Sequence, residues 1–342
     1  MKRDVVSAVR DRVVYLDISL SVGLVQERVL RAFDRLYRTN RTSRDRALLL
    51  EPRSVHSLVG FAAHIDGPGE VSRGFRGTAA RQQESTGQGS NGAFVTSGYT
   101  RTHMNRIELN EHRNPDIRVV GNEQTPVIVI DDPIVSTDML RQAAIEDGGF
   151  HLDRQVMYPG VRTRLPDDYV DSVVPTLVRL LREVFDIPGT LGEKVIQRVF
   201  SLVTTPPEDL AVIQRVPHFD DLKNWYFATV HYLGPGTFGG TGIFRHRPTG
   251  FERITQDRYR EYAEKAEAHM QEHGIPPPKY VDSSTDHYEL IETIEYRPNR
   301  LIVYPGNLLH SGLVQPGRDI GWDPRTGRLT ANLFIDFVEP GS

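Results

Sequence analysis

Val216-Pro217-His218-Phe219-Asp220 is the stretch on which the rest of the chain hangs. His218 and Asp220 stand two residues apart. On an extended segment such residues point to the same face, so two side chains of metal-ligating type converge. Further on, Leu309-His310-Ser311 carries a second histidine, and Arg328-Leu329-Thr330 opens another apolar run. A lone His-x-Asp arises by chance in many chains. Here it gains weight because the later His and the Arg-x-Thr follow it in order.

Two histidines and one carboxylate, with the remaining positions open, form the ligand set used by non-haem Fe(II) oxygenases. His218, Asp220 and His310 are the expected ligands and the catalytic centre. Three positions on the ion would stay free, two for a co-substrate chelating through two oxygens and one for O2. Asp220 fills a position that a halide could otherwise take, which favours hydroxylation over halogenation. Arg328 suits a carboxylate, because a guanidinium makes two parallel charge-assisted bonds to it. Thr330 falls on the same face as Arg328, and Tyr232 lies on the strand after the His-x-Asp turn. Together they are expected to bind the distal carboxylate of 2-oxoglutarate.

Composition narrows the alternatives. The chain has 342 residues, 38% hydrophobic and 25% charged, as in a globular protein. It has no cysteine, which excludes disulfides, thiolate zinc sites, iron–sulfur clusters and cysteine nucleophiles. No apolar run approaches the ~18 residues of a membrane span. Met1-Lys2-Arg3-Asp4 begins no secretory signal, so a cytoplasmic location is expected. The net charge of -4 hides an asymmetry. Residues 1–120 hold 19 Lys+Arg against 13 Asp+Glu (19 − 13 = +6), and the remainder holds 22 against 32 (22 − 32 = −10). The acidic remainder argues against nucleic acid as a direct substrate. A small molecule or a peptide fits better, and a homodimer is left open.

Along the chain, residues 1–120 form an N-terminal extension. It includes a helical spacing from Val22 to Tyr37 and a Gly/Ser-rich linker over 66–98. His56, His64, His103 and His112 are scattered and suggest no site. A second module is placed at 121–342 and opens with the apolar strand Val127-Ile128-Val129-Ile130. Ser136 can cap a helix to about Asp147. Tyr158 to Arg162 reads as a loop, and Asp167 to Phe185 as a helix with an apolar face. Strands are expected at Lys194–Thr204, Ala211–Val216, Tyr226–Leu233, Thr241–Arg247, Glu289–Tyr296, Arg300–Tyr304, His310–Val314 and Arg328–Phe337. One helix from about Thr255 to His273 interrupts them. This layout, mainly β with α, predicts a double-stranded β-helix, an antiparallel jelly-roll barrel supported by helices.

The residues from about 126 to 338 resemble the Fe(II)/2-oxoglutarate-dependent oxygenases, in particular the prolyl-hydroxylase-like branch. The resemblance rests on His218-Phe219-Asp220, Val230-His231-Tyr232-Leu233, Gly239-Gly240-Thr241-Gly242, Leu301-Ile302-Val303-Tyr304-Pro305-Gly306, His310-Ser311-Gly312 and Arg328-Leu329-Thr330. Gly239 to Glu252 also resembles a bacterial oxygenase-like family of unassigned function. The resemblance implies the barrel, iron and 2-oxoglutarate, but no prime substrate. His310 and Arg328 stand 18 apart (328 − 310), wider than the family's usual spacing. Gln315–Gly327 is therefore read as a loop insertion, with Arg318 as the rival anchor.

Other residues carry weaker expectations. Arg245 and Arg247 share a strand face that could line the substrate mouth, and Trp225 and Trp322 could flank it. His231 points away from Tyr232 and is read as structural. Competing readings are a barrel that binds a ligand or metal without turnover and a cupin-type enzyme using the metal without 2-oxoglutarate.

Overall fold

The computed structural model describes residues 107–152 and 158–341. The sequence expectations for residues 1–106, including the helical spacing, the linker and three of the scattered histidines, lie outside these residues.

The described chain is mainly antiparallel β-sheet with a few helices. Eight strands form one sheet: β1 (Asp116–Val120), β2 (Thr125–Asp131), β3 (His151–Leu152), β4 (Gly160–Arg164), β5 (Gly192–Val203), β6 (Tyr226–Tyr232), β9 (Arg300–Pro305) and β11 (Thr330–Val338). Their spatial order is β1-β2-β9-β6-β11-β5-β4-β3. Three more, β7 (Thr241–His246), β8 (Tyr288–Ile294) and β10 (His310–Gly312), form a smaller sheet in the order β10-β7-β8. The helices are α1 (Asp138–Asp147), α2 (Asp167–Phe185), α3 (Tyr259–His273) and the single turn α4 (Pro316–Asp319).

Strand alternation decides what each face of the large sheet meets. On one face, Ile128, Ile130, Phe200, Phe227, Leu333 and Ile335 pack against Leu140 and Ala144 of α1 and Tyr169, Val173, Leu177 and Leu181 of α2. The i, i+3 and i+4 spacing of these helical residues produces that contact. On the other face, Val127, Val129, Val230, Ile302 and Tyr304 meet Ile243, Ile294 and Leu308 from the region of the smaller sheet. Central strands β6 and β9 are buried on both faces, which is why their sequences are almost continuously apolar.

His231 sits on the helix side of β6. Its Nδ1 accepts from the Tyr169 hydroxyl (2.9 Å), and its Nε2 faces Asn299 Oδ1 (3.0 Å). Burial holds both rings in their neutral forms: His231 is pushed down to about 4, and the Tyr169 phenol is pushed up. Tyr169→Phe strands a buried acceptor. It should lower stability by about 1–3 kcal/mol in urea unfolding, with no effect on ligand binding in the cavity.

Several boundaries differ from the sequence reading. Tyr158–Arg162 is not a loop throughout: Gly160 to Arg164 is β4, paired with β5 through Gly160↔Val203 to Arg164↔Val199. Ala211–Val216 is not a strand but a 3₁₀ turn over Val212–Arg215. Arg328 precedes β11 rather than opening it. The large sheet starts ahead of residue 121, because β1 pairs with β2 from Asp116↔Val129 onward. Two helices fall where the sequence placed them. α2 matches end to end, and α1 starts with the Asp138 amide donating to Ser136 Oγ (3.1 Å). Among the described residues no helix is long and apolar enough to cross a membrane.

Candidate metal centre

His218 and His310 face each other across an isolated antiparallel bridge. Each amide donates to the other's carbonyl, at 2.9 and 2.8 Å. Directly opposed residues put their side chains on one face, and here the two rings lie 4.4 Å apart. The Asp220 amide donates to Gly306 O (2.7 Å), which turns its carboxylate toward both rings. Asp220 Oδ1 lies 3.9 Å from His218 Nε2, and Oδ2 lies 3.6 Å from His310 Nε2. One ligand atom from each of the three residues falls within a 4.8 Å cluster.

The atoms are prepared as ligands. His310 Nδ1 lies 2.8 Å from the Leu308 carbonyl, which can only accept. Nδ1 therefore carries the proton, and Nε2 offers its lone pair to the cluster. Burial pushes both histidines down to about 4, so their rings are neutral at neutral pH. Burial also raises Asp220 to about 6, while the nearby His218 and Arg162 pull it down. Asp220 Oδ2 is buried and has no hydrogen-bond partner. Such an oxygen is costly unless a cation or a proton satisfies it. Half of the His218 side chain is accessible, and the residue lines the cavity described next.

That cavity holds about 570 Å³ between the two sheets and α3. His218, Asp220, His310, Arg328 and Thr330 all line it. Arg328 is 5% exposed. Its Nε donates to Gly239 O (2.9 Å) and one terminal nitrogen to Gly240 O (3.3 Å), which leaves the remaining guanidinium N–H groups for the cavity. Tyr232 and Tyr296 place their rings 5.7 and 6.0 Å from that guanidinium. Thr330 Oγ1 is bonded to Asn332 Oδ1 (2.8 Å).

Residues 111–335 match the model of a family of unknown function, DUF6445. The chain belongs to this family. None of the curated proteins matches the DUF6445 chain in sequence. Among solved structures, EctD from S. alaskensis with 2-oxoglutarate and 5-hydroxyectoine aligns over 69% of the DUF6445 chain and 85% of its own, with 13% identity and a TM-score of 0.29. A likeness that slight carries no argument about chemistry.

The remaining candidates are distributed unevenly. The Tyr232 hydroxyl is hydrogen-bonded to Thr241 Oγ1 (2.8 Å), and it is Thr241 that lines the cavity. Arg318 pairs with Asp319 (3.0 Å) and does not line the cavity. Arg245 is held by Glu252 (2.6 Å) and by its cross-strand partner Glu289 (2.9 Å). Arg247 donates to Thr285 O, and Trp322 is 65% exposed. None of these last three lines the cavity. Trp225 packs at the edge of the helix-side core.

Sequence reasoning passed over three contributors. Arg162, on β4, lines the cavity and is close enough to Asp220 and His218 to shift both. Tyr158 stacks on its guanidinium at 4.4 Å. Asp319 is fully buried and accepts from the Gly239 amide (2.8 Å) and the Gln315 amide (3.0 Å), so the segment after β10 is tied to the double glycine. An acid one turn after Pro316 was the only sequence sign of this.

The double glycine itself is required by close approach. A Cβ on Gly239 would run into the Leu313 carbonyl, and one on Gly240 into the Ile294 carbonyl. Gly239→Ala should cost about 1–3 kcal/mol in urea unfolding and also weaken any ligand held by Arg328.

Proposed function

We propose that the chain is an Fe(II)/2-oxoglutarate-dependent dioxygenase on a double-stranded β-helix, hydroxylating a small amino-acid-like or natural-product substrate or a peptide. The observation that carries the reading is the His218–Asp220–His310 cluster sharing one cavity with Arg328 and Thr330. The two facing antiparallel sheets are consistent with the jelly roll.

The donor set fits iron. Two neutral imidazoles and one carboxylate with an unpartnered buried oxygen are what a divalent first-row ion with open positions requires. When bound, Fe(II) would supply the activation of O2 that drives decarboxylation of 2-oxoglutarate to succinate and CO2, with the second oxygen atom entering the substrate as a hydroxyl. The protein's own residues do the rest. His218, Asp220 and His310 fix the ion's position. Arg328 meets the distal carboxylate of the keto acid in a site shielded from bulk water, where its charge is weakly screened. Thr330 and Thr241 also line the cavity; the Thr330 hydroxyl would have to leave Asn332 Oδ1 to donate to the keto acid, and Thr241 is hydrogen-bonded to Tyr232. The cavity volume falls within the range of about 300–1,000 Å³ typical of small-molecule sites, so the keto acid and a second molecule can share it.

The test is an anaerobic titration of the apo protein with Fe(II) and then 2-oxoglutarate. A weak visible charge-transfer band of the chelate is expected, followed by succinate formation when air is admitted. Iron binding without the band would favour a cupin-type metal enzyme. Failure of both to bind would leave a ligand-binding barrel.

A further inference from the structure

We propose that the prime substrate is a monocarboxylic acid with an apolar body, its carboxylate held by Arg162 and Gln197 and its body lying against α3. That such an acid is the substrate rests on the oxygenase reading; that it binds here does not.

The sheet wall of the cavity is rich in donors. Among the described residues, the charged side chains that line it are Arg162, Asp220, Glu267 and Arg328. Asp220 belongs to the ion and Arg328 to the keto acid, and Glu267 is exposed on α3. Arg162 is 8% exposed, and neither of those uses claims it. It pairs across β4–β5 with Ser201, and Ser201 pairs with Thr330, so Arg162 shares a face with Thr330 two strands away, about 10 Å. Tyr158 stacks on its guanidinium. Arg162 Nη1 donates to Gln197 Oε1 (3.1 Å). A guanidinium only donates, so this contact fixes the direction of the amide and leaves Gln197 Nε2 with its two N–H groups. The Thr330 hydroxyl donates to Asn332 Oδ1 (2.8 Å), so Asn332 keeps its amide nitrogen in the same way. Gln197 and Asn332 both line the cavity. A guanidinium flanked by amide N–H groups suits a group that only accepts, and a carboxylate matches its fork.

The other wall is apolar. α3 gives it Tyr259, Tyr262, Ala263, Ala266 and Met270, and the turn between the two metal-ligating residues gives it Phe219. Phe219 meets Tyr259 and Tyr262 edge-on, at 6.2 and 6.0 Å. The Tyr262 hydroxyl is already bonded to the Tyr288 hydroxyl (2.8 Å). Ala263 and Ala266 stand at i and i+3, and their short side chains leave width beside the rings. A ring or an alkyl chain buries apolar surface there, whereas a heavily hydroxylated body would lose the water that satisfies its hydroxyls. Arg162 is within electrostatic reach of His218 and Asp220, so an acid held by it has its body close to the ion's position.

Isothermal titration calorimetry of the full-length, metal-free protein tests this with three probes that share one body: 3-phenylpropanoate, 3-phenylpropan-1-ol and 3-phenylpropylamine. The acid should bind at least about tenfold more tightly than the alcohol or the amine. Arg162→Met keeps the apolar stem and loses the charge. It should weaken the acid by about 30-fold or more and leave the alcohol unchanged. Gln197→Leu should weaken the acid by about tenfold, and it carries the test alone if urea unfolding shows that Arg162→Met does not fold. Arg328→Ala should leave the acid within about twofold. The proposal is overturned if the acid does not bind more tightly than both other probes, or if its affinity survives both Arg162→Met and Gln197→Leu. It is also overturned if Arg328→Ala abolishes binding, because the acid then occupies the keto-acid site. A chelate band from Fe(II) and 2-oxoglutarate without any preference for the acid sinks this inference and leaves the oxygenase reading standing. A preference that depends on Arg162, with no such band, keeps the acid site and sinks the oxygenase reading.

Discussion

His310→Ala is expected to abolish the visible band that Fe(II) and 2-oxoglutarate give together, and with it succinate formation. His310 supplies one of the two nitrogens in the cluster, and its Nε2 lies 3.6 Å from Asp220 Oδ2. Loss of an outer-shell partner alone costs about 10–100-fold in metal affinity or activity. Loss of a direct ligand should exceed that, so turnover should fall below detection while the chain stays folded. The fold should survive because what pins this segment is backbone pairing. The reciprocal amide bonds between residues 218 and 310 and the register His310↔Ile243 need no side chain. Thermal unfolding of the apo variant should therefore lie close to that of apo wild type. The His310 ring is neutral in the apo protein, so its removal takes no cation from Asp220. A band that persisted in His310→Ala would remove this residue from the ligand set and, with it, the proposed chemistry.

The triad was legible because its logic is local. A two-residue spacing on extended chain fixes a shared face whatever the surrounding fold, and only the pairing with residue 310 had to come from elsewhere. The helices were legible for the same reason: α2 writes its buried face as a repeat of apolar residues. What stayed hidden depended on contacts between distant segments. Arg245 looked like a cavity residue because alternation put it beside Arg247. Nothing in its own neighbourhood shows that Glu289 would stand opposite it in the β7–β8 register, or that fully buried Glu252 would bond both its guanidinium and the amides of Asn122 and Glu123. Arg162 was missed for the opposite reason. Its flanking Pro159 and Gly160 argued for a loop, yet Gly160 is there because β5 passes so close that a Cβ would meet the Leu202 carbonyl. Glycine marked tight strand packing here, not a turn.

Arg328→Ala is expected to weaken 2-oxoglutarate binding while leaving Fe(II) bound. Truncating one partner of a buried, hydrogen-bonded charge pair costs about 2–5 kcal/mol. At about 1.4 kcal/mol per tenfold, that is roughly 30-fold to several thousand-fold in Kd. The read-out is the 2-oxoglutarate concentration that half-saturates the chelate band, with iron affinity measured separately. The spacing from His310 made Arg318 a rival for this role, and the folded chain separates the two. Arg318 is half-exposed and paired with its neighbour Asp319, outside the cavity, whereas Arg328 is buried in it. Arg318→Ala should therefore leave the half-saturation within about twofold, since Arg318 lines no part of the cavity and Asp319 keeps its bonds from the Gly239 and Gln315 amides. Arg328→Lys discriminates further. It keeps the charge but loses the fork that holds Gly239 O and Gly240 O and a carboxylate at once, so it should recover only part of the affinity. The reverse pattern, with Arg318→Ala crippling and Arg328→Ala silent, would mean that the anchor lies on the docked segment after β10. Equal indifference to both would point to Arg162, the remaining buried cation in the cavity lining.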